Sequence, residues 1–222
     1  MSAVEAVITD FGGVLTTPLS DVFAALQEED GLEPGAVGGA LRRVAERDGA
    51  HPLYELECGR MTEPDFLSRL GAQLTEDLGH DVDLGGFAER YFHHLRPNDA
   101  MLEFLAGLHG ADVRLALLTN NVREWEPRWR AMLPVDDLFD VVVDSAFVGL
   151  RKPDPAIYRL TCERLGVAVE RCVFVDDVEA NCVAATELGM TAVRFRDSAQ
   201  AIAEVRAALG EAQLSEPRRS QR

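Results

Sequence analysis

The stretch V-E-A-V-I-T-D-F-G-G, Val4 to Gly13, begins with a short apolar run that is rich in β-branched residues. The part from Val4 to Thr9 predicts a buried strand, because strands covered on both faces are built from such runs. The predicted strand ends at Asp10, and Gly12 and Gly13 after it are typical of a turn. The opening of the chain therefore predicts a buried strand with a carboxylate at its carboxyl end.

Further apolar runs alternate with helical patterns in the second half of the chain. One of these helices is delimited by its ends, with Asp154 as N-cap, a proline at the first position and Gly166 as the stop. Alternating strands and helices predict an α/β fold, a parallel sheet of about five strands with helices on both faces. The four later strands are predicted at Val113–Leu118, Phe139–Val143, Cys172–Val175 and Thr191–Phe195.

Residues 18–95 differ in character from the rest of the chain. They contain helical spacings of apolar residues and no convincing strand, and Thr62 with Asp65 predicts the start of one helix. We interpret residues 18–95 as a helical cap inserted after the first strand, over one edge of the sheet. Residues 1–17 and 96–212 then form the core, and residues 213–222 are predicted to be a disordered tail.

The composition excludes several classes of function. The 222 residues contain 22 basic and 38 acidic side chains, a net charge of −16, which argues against a nucleic-acid partner. No segment has the length of apolar sequence that a membrane span needs, and no signal peptide is apparent. The four cysteines lack metal-site spacing and are expected to be reduced thiols in a cytoplasmic protein. The sequence carries no signal for an oligomeric state.

Polar residues follow several of the predicted strands at or near their carboxyl ends. Ligands of open parallel sheets bind beyond this edge, so that these residues are expected to share one site. They are Asp10, Thr119, Asn120, Lys152, Asp176 and Asp177.

The residue types in this set suit phosphoryl transfer. Adjacent carboxylates such as Asp176 and Asp177 are suited to Mg²⁺, and Asp10 can act as a nucleophile that forms an aspartyl-phosphate. Thr119 and the backbone amides after it are expected at a helix start, where phosphate oxygens bind. Lys152 supplies a mobile ammonium for the nucleophile and the phosphate.

Lys152 is the only lysine of the chain, against 21 arginines. A structural cation in this protein is almost always arginine, so the single lysine indicates a specific role. It is also one of the polar residues predicted at the carboxyl edge of the sheet.

The chain resembles the haloacid dehalogenase-like hydrolase superfamily, in the subgroup whose helical cap follows the first strand. Four segments carry the resemblance, in the family's order and across nearly the whole chain, and a fifth, E-L-E-C-G-R-M-T at Glu55–Thr62, resembles a common cap segment. The four are V-I-T-D-F-G-G-V-L at Val7–Leu15, L-L-T-N-N at Leu117–Asn121, G-L-R-K-P-D-P at Gly149–Pro155 and V-F-V-D-D-V-E-A-N at Val173–Asn181.

The resemblance implies a Rossmann-like core, a cap that closes over the site, and a role for each matching residue. The predicted function is a Mg²⁺-dependent phosphatase for a small phosphorylated metabolite. Asp10 corresponds to the nucleophile and Lys152 to the family lysine. The phosphate-binding position is Thr119, with Asn120 beside it. Mg²⁺ would be held by Asp10, the Gly12 carbonyl, Asp176 and Asp177, with Asn181 supporting the acidic loop.

Gly12 departs from the family pattern. Family phosphatases usually carry there a second aspartate that protonates the leaving alcohol and later activates water, a contribution of roughly 10²–10⁴-fold. The loss predicts a slow enzyme, a preference for good leaving groups, or inactivity. Thr16, Asp48 and His51 are considered as substitutes, although each is more readily explained as a structural residue.

Two alternatives to a phosphatase remain open. A 2-haloacid dehalogenase needs no leaving-group proton, and dehalogenases that resemble this family also lack the second aspartate. They do not use Mg²⁺, so that Asp176 and Asp177 would have no purpose in such an enzyme. A non-catalytic module that binds a phosphorylated ligand or a protein is the other alternative, and Gly12 is its one direct support.

Substrate choice is expected to depend on the cap. Five cap arginines are candidates for holding an anionic substrate, although surface arginines are common on helices. His93 and His94 are adjacent on a helix, where neighbouring side chains point apart, and are assigned no metal. The five arginines are Arg42, Arg43, Arg47, Arg60 and Arg90.

Overall fold

The five predicted strands form one parallel sheet in the order β3-β2-β1-β4-β5. The computed structural model describes residues 3–109 and 113–210, and the predicted tail at 213–222 lies outside them. The α/β fold with helices packed on the sheet is thus confirmed. The strands are β1 (Ala6–Thr9), β2 (Arg114–Thr119), β3 (Val141–Asp144), β4 (Cys172–Asp176) and β5 (Thr191–Arg194).

Side chains alternate across the central strands and build a separate core on each face of the sheet. Val7 and Val175 belong to a larger cluster, whereas Ile8 and Phe174 belong to a smaller one on the opposite face. All four are at most 1% exposed. This arrangement follows from the two-residue period of a strand and explains why the strand sequences are apolar throughout.

Five helices lie within residues 18–95, the segment predicted as the cap, and we call α1–α5 the cap helices. Thr62 is the N-cap of α4 and accepts a hydrogen bond from the Asp65 amide at 3.3 Å, as the capping pattern predicts. The two shortest of these helices, α3 and α5, carry little apolar periodicity in their sequences because they span only 6 and 8 residues. The cap helices are α1 (Leu19–Glu29), α2 (Ala36–Asp48), α3 (Pro52–Glu57), α4 (Glu63–Leu78) and α5 (Phe87–His94).

The remaining helices follow the cap segment along the chain. The helix predicted at Pro155–Leu165 has these bounds in the structure, with the Asp154 carboxylate accepting from the Ala156 amide at 2.8 Å. Among the described residues, no helix has the length and apolar character to cross a membrane. These helices are α6 (Asp99–His109), α7 (Glu126–Met132), α8 (Val135–Leu138), α9 (Ser145–Val148), α10 (Pro155–Leu165), α11 (Glu179–Glu187) and α12 (Ser198–Leu209).

The chain leaves β1 and returns from the cap helices along two adjacent segments. The Thr17 amide donates to the Arg96 carbonyl at 2.8 Å, and the Asn98 amide donates to the Leu15 carbonyl at 2.8 Å. Thr16 and Pro97 form an antiparallel bridge between them. The two connections therefore cross from sheet to cap side by side.

Trp129 on α7 fills the core beside the start of the predicted site. Its side chain is fully buried, and its ring centroid lies 5.6 Å from that of Phe11, which directly follows Asp10. Replacement by a small side chain would leave a large cavity behind Phe11.

We expect Trp129→Ala to lower the free energy of unfolding by about 3–5 kcal/mol, because the buried surface is lost and a cavity remains. Trp129→Phe should be less destabilising, since it keeps a ring and removes an indole N–H that has no hydrogen-bond partner among the described residues. Val183→Ala, at a side chain that is 49% exposed, is the control and should stay within about 0.5 kcal/mol. Urea unfolding measures the stability of all three variants. Equal losses of stability in Trp129→Ala and Val183→Ala would contradict the placement of Trp129 in the core.

Candidate active site

The sheet order brings the predicted site residues together. β1 lies between β2 and β4, so that the ends of these three strands are adjacent. Asp10 follows β1, Thr119 ends β2 and Asp176 ends β4. All three are buried or nearly so, at 8%, 1% and 0% exposed. The predicted grouping at one sheet edge is therefore present in the structure.

Lys152 is the centre of the polar contacts at this edge. Its side chain is 1% exposed, and its Nζ lies 2.8 Å from Asp10 Oδ1 and 2.7 Å from Asp176 Oδ2. A buried ammonium is stable only when it is paired and hydrogen-bonded, and two carboxylates from different strands do this here. The only lysine of the chain thus bridges β1 and β4.

Asn120 holds the backbone of Lys152. Its Nδ2 donates to the Lys152 carbonyl at 3.0 Å, and its Oδ1 accepts from the Lys152 amide at 2.8 Å. The sequence analysis placed Asn120 beside the phosphate-binding threonine. In the structure both ends of its side-chain amide are used on Lys152, so Asn120 is a positioning residue.

The loop after Thr119 differs from the predicted helix start. Residues 120–122 separate β2 from a single 3₁₀ turn at Arg123–Trp125, and α7 begins only at Glu126. The Asn121 amide donates to Ser145 Oγ at 3.1 Å, and the Val122 amide donates to Asn121 Oδ1 at 2.9 Å. The Asn121 amide is therefore used on α9 and the Val122 amide within the loop, whereas Thr119 itself lines the cavity.

Asp176 is held by donors on both of its oxygens. Oδ1 accepts from the Val178 amide at 2.8 Å, and Asn181 Nδ2 lies 3.0 Å from Oδ1 and 3.1 Å from Oδ2. Asn181 is itself fixed, because its carbonyl accepts from the Tyr158 hydroxyl at 3.0 Å. Asn181 therefore contacts the acidic loop in the way that the resemblance implies.

Asp177 is the more accessible member of the acidic pair, and its carboxylate lies close to the backbone of Gly13. Gly13 has a φ of 77°, and a Cβ at this position would collide with Asp177 Oδ2. Only glycine combines this backbone conformation with the absence of a side chain. The turn after Asp10 is therefore shaped to admit the Asp177 carboxylate.

The site contains more negative than positive charge. Burial raises the pKa of Asp10 to about 7, opposed by Lys152 and increased by Asp176 and Asp177. Burial also raises the pKa of Asp177, and Asp176 adds to the effect. For Lys152, burial lowers the pKa, but Asp10 and Asp176 together raise it more, so that the ammonium stays charged. One lysine does not balance three carboxylates.

The donor set suits a hard divalent cation. One oxygen from each of Asp10, Asp176 and Asp177 lies within 4.8 Å of the others, which is the one such group of three metal-binding side chains within residues 3–109 and 113–210. Carboxylate oxygens are the ligands that Mg²⁺ prefers, and a cation would relieve the repulsion that raises the pKa of Asp10. The residues therefore fit the predicted metal.

Leu19 of α1 occupies the space beside Gly12. A Cβ on Gly12 would lie 2.8 Å from Leu19 Cδ1 and 3.2 Å from Leu19 Cγ. A side chain at position 12, such as the aspartate of family phosphatases, would require Leu19 to move. An apolar side chain thus lies where the side chain of a general acid would begin.

A cavity of about 500 Å³ extends from Asp10 between the sheet edge and the cap helices, a size typical of small-molecule sites. Asp10, Gly12, Thr119 and Asn120 line one part of it. Residues of all five cap helices line most of the rest, and the majority of them are apolar.

None of the predicted substitutes for the missing acid lines this cavity. Thr16 accepts from the Gly13 amide at 3.2 Å, Asp48 pairs with Arg47 and Arg69, and the His51 ring stacks on Tyr54. Each contact is structural, as expected for these residues.

Sequence reasoning missed Glu57, which does line the cavity. Burial raises its pKa against the effect of Arg151, whose Nε lies 2.6 Å from Glu57 Oε2. This pair joins α3 of the cap to the loop before Lys152. The quoted cap segment Glu55–Thr62 contains Glu57, but spacing alone does not show which of its side chains faces inward.

The five cap arginines considered for substrate binding do not line the cavity either. Four of them contact acidic side chains elsewhere: Arg43 with Asp77, Arg47 with Asp48, Arg60 with Glu55, and Arg90 with Asp30. Of the two adjacent histidines, His94 contacts Glu29 at 2.8 Å.

Comparison with known proteins gives a family match over most of the chain. The model of the haloacid dehalogenase-like hydrolases matches residues 4–189. The chain is 28% identical over 213 residues to acyl-CoA dehydrogenase family member 10 of Mus musculus, which covers 93% of this chain but only 19% of the mouse protein. It is 26% identical over 215 residues to the sesquiterpene phosphatase astK of Aspergillus oryzae, covering 93% of this chain and 97% of that protein.

A solved structure shares the fold. It is a HAD family enzyme from Bacteroides thetaiotaomicron, in complex with magnesium and inorganic phosphate, with a TM-score of 0.60 and 20% sequence identity. The alignment covers 87% of this chain and 94% of that one.

We expect Gly13→Ala to be more destabilising than Gly49→Ala. Gly49 has nearly the same φ, 73°, but a Cβ added there would meet open space. Gly49→Ala should therefore lower the free energy of unfolding only by the roughly 1–2 kcal/mol that a left-handed backbone costs a residue with a side chain. Gly13→Ala adds the collision with Asp177 and should lower the free energy of unfolding by at least about 1 kcal/mol more. Urea unfolding compares the two variants, and equal losses would mean that Asp177 does not depend on Gly13.

Proposed function

The chain belongs to the haloacid dehalogenase-like hydrolases, and on this premise we propose that it is a Mg²⁺-dependent phosphatase acting on a small phosphorylated compound through an aspartyl-phosphate on Asp10. The observation that carries the proposal is the contact of one buried lysine with Asp10 and Asp176 at the edge of a cavity. The named activity of the sesquiterpene phosphatase, a relative over nearly its full length, supports it.

Asp10, Asp176, Asp177 and the Gly12 carbonyl would hold Mg²⁺. When bound, the ion would neutralise charge on a phosphoryl group and on the carboxylates around it. Asp177 and Asp10 have fewer protein donors on their oxygens than Asp176, which already accepts from Lys152, Asn181 and the Val178 amide. The magnesium and phosphate in the related fold from Bacteroides thetaiotaomicron support this choice of ion.

In the first chemical step, a carboxylate oxygen of Asp10 attacks the phosphorus of the substrate. The new bond from Asp10 to phosphorus forms as the bond from phosphorus to the leaving oxygen breaks, and the electron pair goes to that oxygen. Lys152 holds the Asp10 carboxylate in place through Oδ1 and adds positive charge beside the transferring group. The Thr119 hydroxyl would donate to a phosphate oxygen.

In the second step, water attacks the phosphorus of the aspartyl-phosphate. The Asp10–phosphorus bond breaks, the carboxylate is restored, inorganic phosphate leaves and the proton of the attacking water passes to solvent. The side chain that usually assists both steps is missing at Gly12. The leaving oxygen therefore departs as an anion, and substrates whose leaving group is acidic should react fastest.

A 2-haloacid dehalogenase is the second candidate, favoured by Gly12, because halide departs without a proton. The acidic cluster of Asp10, Asp176 and Asp177 opposes it, since that reaction requires no cation and the repulsion between the carboxylates would stay uncompensated. A non-catalytic binding module is opposed by the intact pairing of Lys152 with Asp10. Halide release from 2-chloropropionate distinguishes a dehalogenase from a phosphatase.

We expect phosphate release from phenyl phosphate to require Mg²⁺ and to fall by more than about 10³-fold in Asp10→Asn, because the amide is not a nucleophile. The matched control is Asp136→Asn, at a surface aspartate that pairs with Arg130 and should leave the rate unchanged. Phosphate release that persists in Asp10→Asn or without divalent cations would contradict the mechanism.

A binding measurement supplements the rate measurement. Beryllium fluoride with Mg²⁺ should raise the melting temperature of the wild type but not of Asp10→Asn, because a ligand that binds only the folded state stabilises it. The absence of a shift in the wild type at millimolar concentrations would favour the two alternatives.

We expect Gly12→Asp combined with Leu19→Ala to accelerate hydrolysis of alkyl phosphates by ~10-fold or more, with little effect on p-nitrophenyl phosphate, whose leaving group needs no proton. Gly12→Asp alone should gain less, because Leu19 lies in the way. Leu19→Ala alone is the control for changes in the cavity. An unchanged rate in a folded double variant would show that the site cannot use an acid at position 12.

A further inference from the structure

We propose that the leaving group of the substrate is an uncharged, apolar chain or ring that occupies the cavity between Asp10 and the cap helices. This inference rests on the proposed phosphatase function and names the class of its substrate. It is carried by the chemistry of the cavity wall, by its lack of cations and by an exposed aromatic side chain within it.

Most of the side chains that α1, α2 and α4 contribute to the cavity wall are apolar, and Gln27 and Glu63 are the polar ones. Leu19 and Phe23 come from α1, Leu41 from α2, and Phe66 and Leu70 from α4. Because each buried methylene contributes about 0.8 kcal/mol, a ligand that covers these side chains gains affinity in proportion to its apolar length. A sugar phosphate would leave most of its hydroxyl groups without partners on such a wall.

The described residues that line the cavity include no lysine, arginine or histidine. The charged side chains among them, apart from Asp10, are Glu57 and Glu63, both acidic. Lys152 lies beside Asp10 and is already paired with two carboxylates. A second anionic group on the substrate, away from the phosphate, would therefore meet acidic or apolar side chains and no counter-charge.

Phe23 is 40% exposed although it belongs to the cavity wall. Its ring lies 5.8 Å from that of Tyr91, and Tyr91 lies 4.6 Å from Trp125, so that three rings form a continuous aromatic surface along the cavity. An apolar ligand would cover the exposed part of Phe23. A covering ligand would remove from water the exposed part of a large aromatic side chain that lines the cavity.

The apolar wall reaches the reaction centre itself. Leu19 fills the space beside Gly12, which in family phosphatases belongs to a charged acid. The atoms next to the leaving oxygen are therefore expected to lie against a leucine, which favours a carbon-rich leaving group from its first atoms onward.

A series of 4-alkylphenyl phosphates, from phenyl to 4-butylphenyl, tests the proposal with nearly constant leaving-group acidity. We expect kcat/KM with Mg²⁺ to rise by roughly fourfold for each added methylene until the cavity is filled. Phenyl phosphate with a 4-carboxylate should react more slowly than its 4-methyl counterpart. A flat or falling series, with phenyl phosphate still hydrolysed, would overturn the proposal.

The variant Phe23→Asp places a charge on the cavity wall at a partly exposed position. It should reduce the preference for 4-butylphenyl over phenyl phosphate, measured as the ratio of their kcat/KM values, by about tenfold. Leu78→Asp is the matched control, a cap leucine that is 38% exposed and does not line the cavity. If Phe23→Asp and Leu78→Asp show the same preference for 4-butylphenyl over phenyl phosphate, the alkyl chain does not bind against Phe23.

Binding of alkylphosphonates separates failure of this proposal from failure of the proposed function. Calorimetric affinity for butyl- over methylphosphonate in the presence of Mg²⁺ reports on the cavity without any turnover. If phenyl phosphate is not hydrolysed but butylphosphonate binds at least tenfold more tightly, the phosphatase assignment fails and the apolar site stands. If phenyl phosphate is hydrolysed and the two phosphonates bind equally, only the apolar site fails.

Discussion

The bridge from the Lys152 ammonium to Asp10 and Asp176 is the interaction on which the arrangement of the site depends. A charge buried to this extent is stable only with its partners, so the bridge fixes the ends of β1 and β4 relative to each other. Asn120 extends the constraint to the end of β2, because its side chain is hydrogen-bonded to both the amide and the carbonyl of Lys152. Three strands that are neighbours in the sheet are thereby joined through one residue, Lys152, at their carboxyl edge.

At the same edge of the sheet, three carboxylates lie close together and carry more negative charge than Lys152 balances. Gly13 has no side chain, so that Asp177 can come up to the turn after Asp10. Asn181 and the Val178 amide hold Asp176 in place, although it is entirely buried. Fixed carboxylates that repel one another cannot relax by moving apart, and this is the physical reason why a cation is expected among them. Gly12 and Leu19 set a different limit on the same site, because they replace a polar group with an apolar contact.

The strands and the residues at their ends could be predicted from the sequence, because both depend on local signals. The apolar runs mark buried strands, and Asp154 with Gly166 sets both ends of α10. The positions of Glu57 and Leu19 could not be predicted in this way, since they depend on how the cap helices pack over the sheet edge. Asn120 shows the same limit within a recognised motif, where the sequence identifies the residue but not the partner that its side chain contacts.

The paired connections between sheet and cap have a consequence for how such a protein can diversify. Thr16 and Thr17 on the outgoing segment lie against Arg96 and Pro97 on the returning one, so the inserted helices begin and end at neighbouring points. An insert whose two ends lie side by side can be accommodated with little change in the structure of the domain that carries it. A change confined to these inserted helices would therefore alter the wall of the cavity, while the sheet edge beneath keeps its geometry.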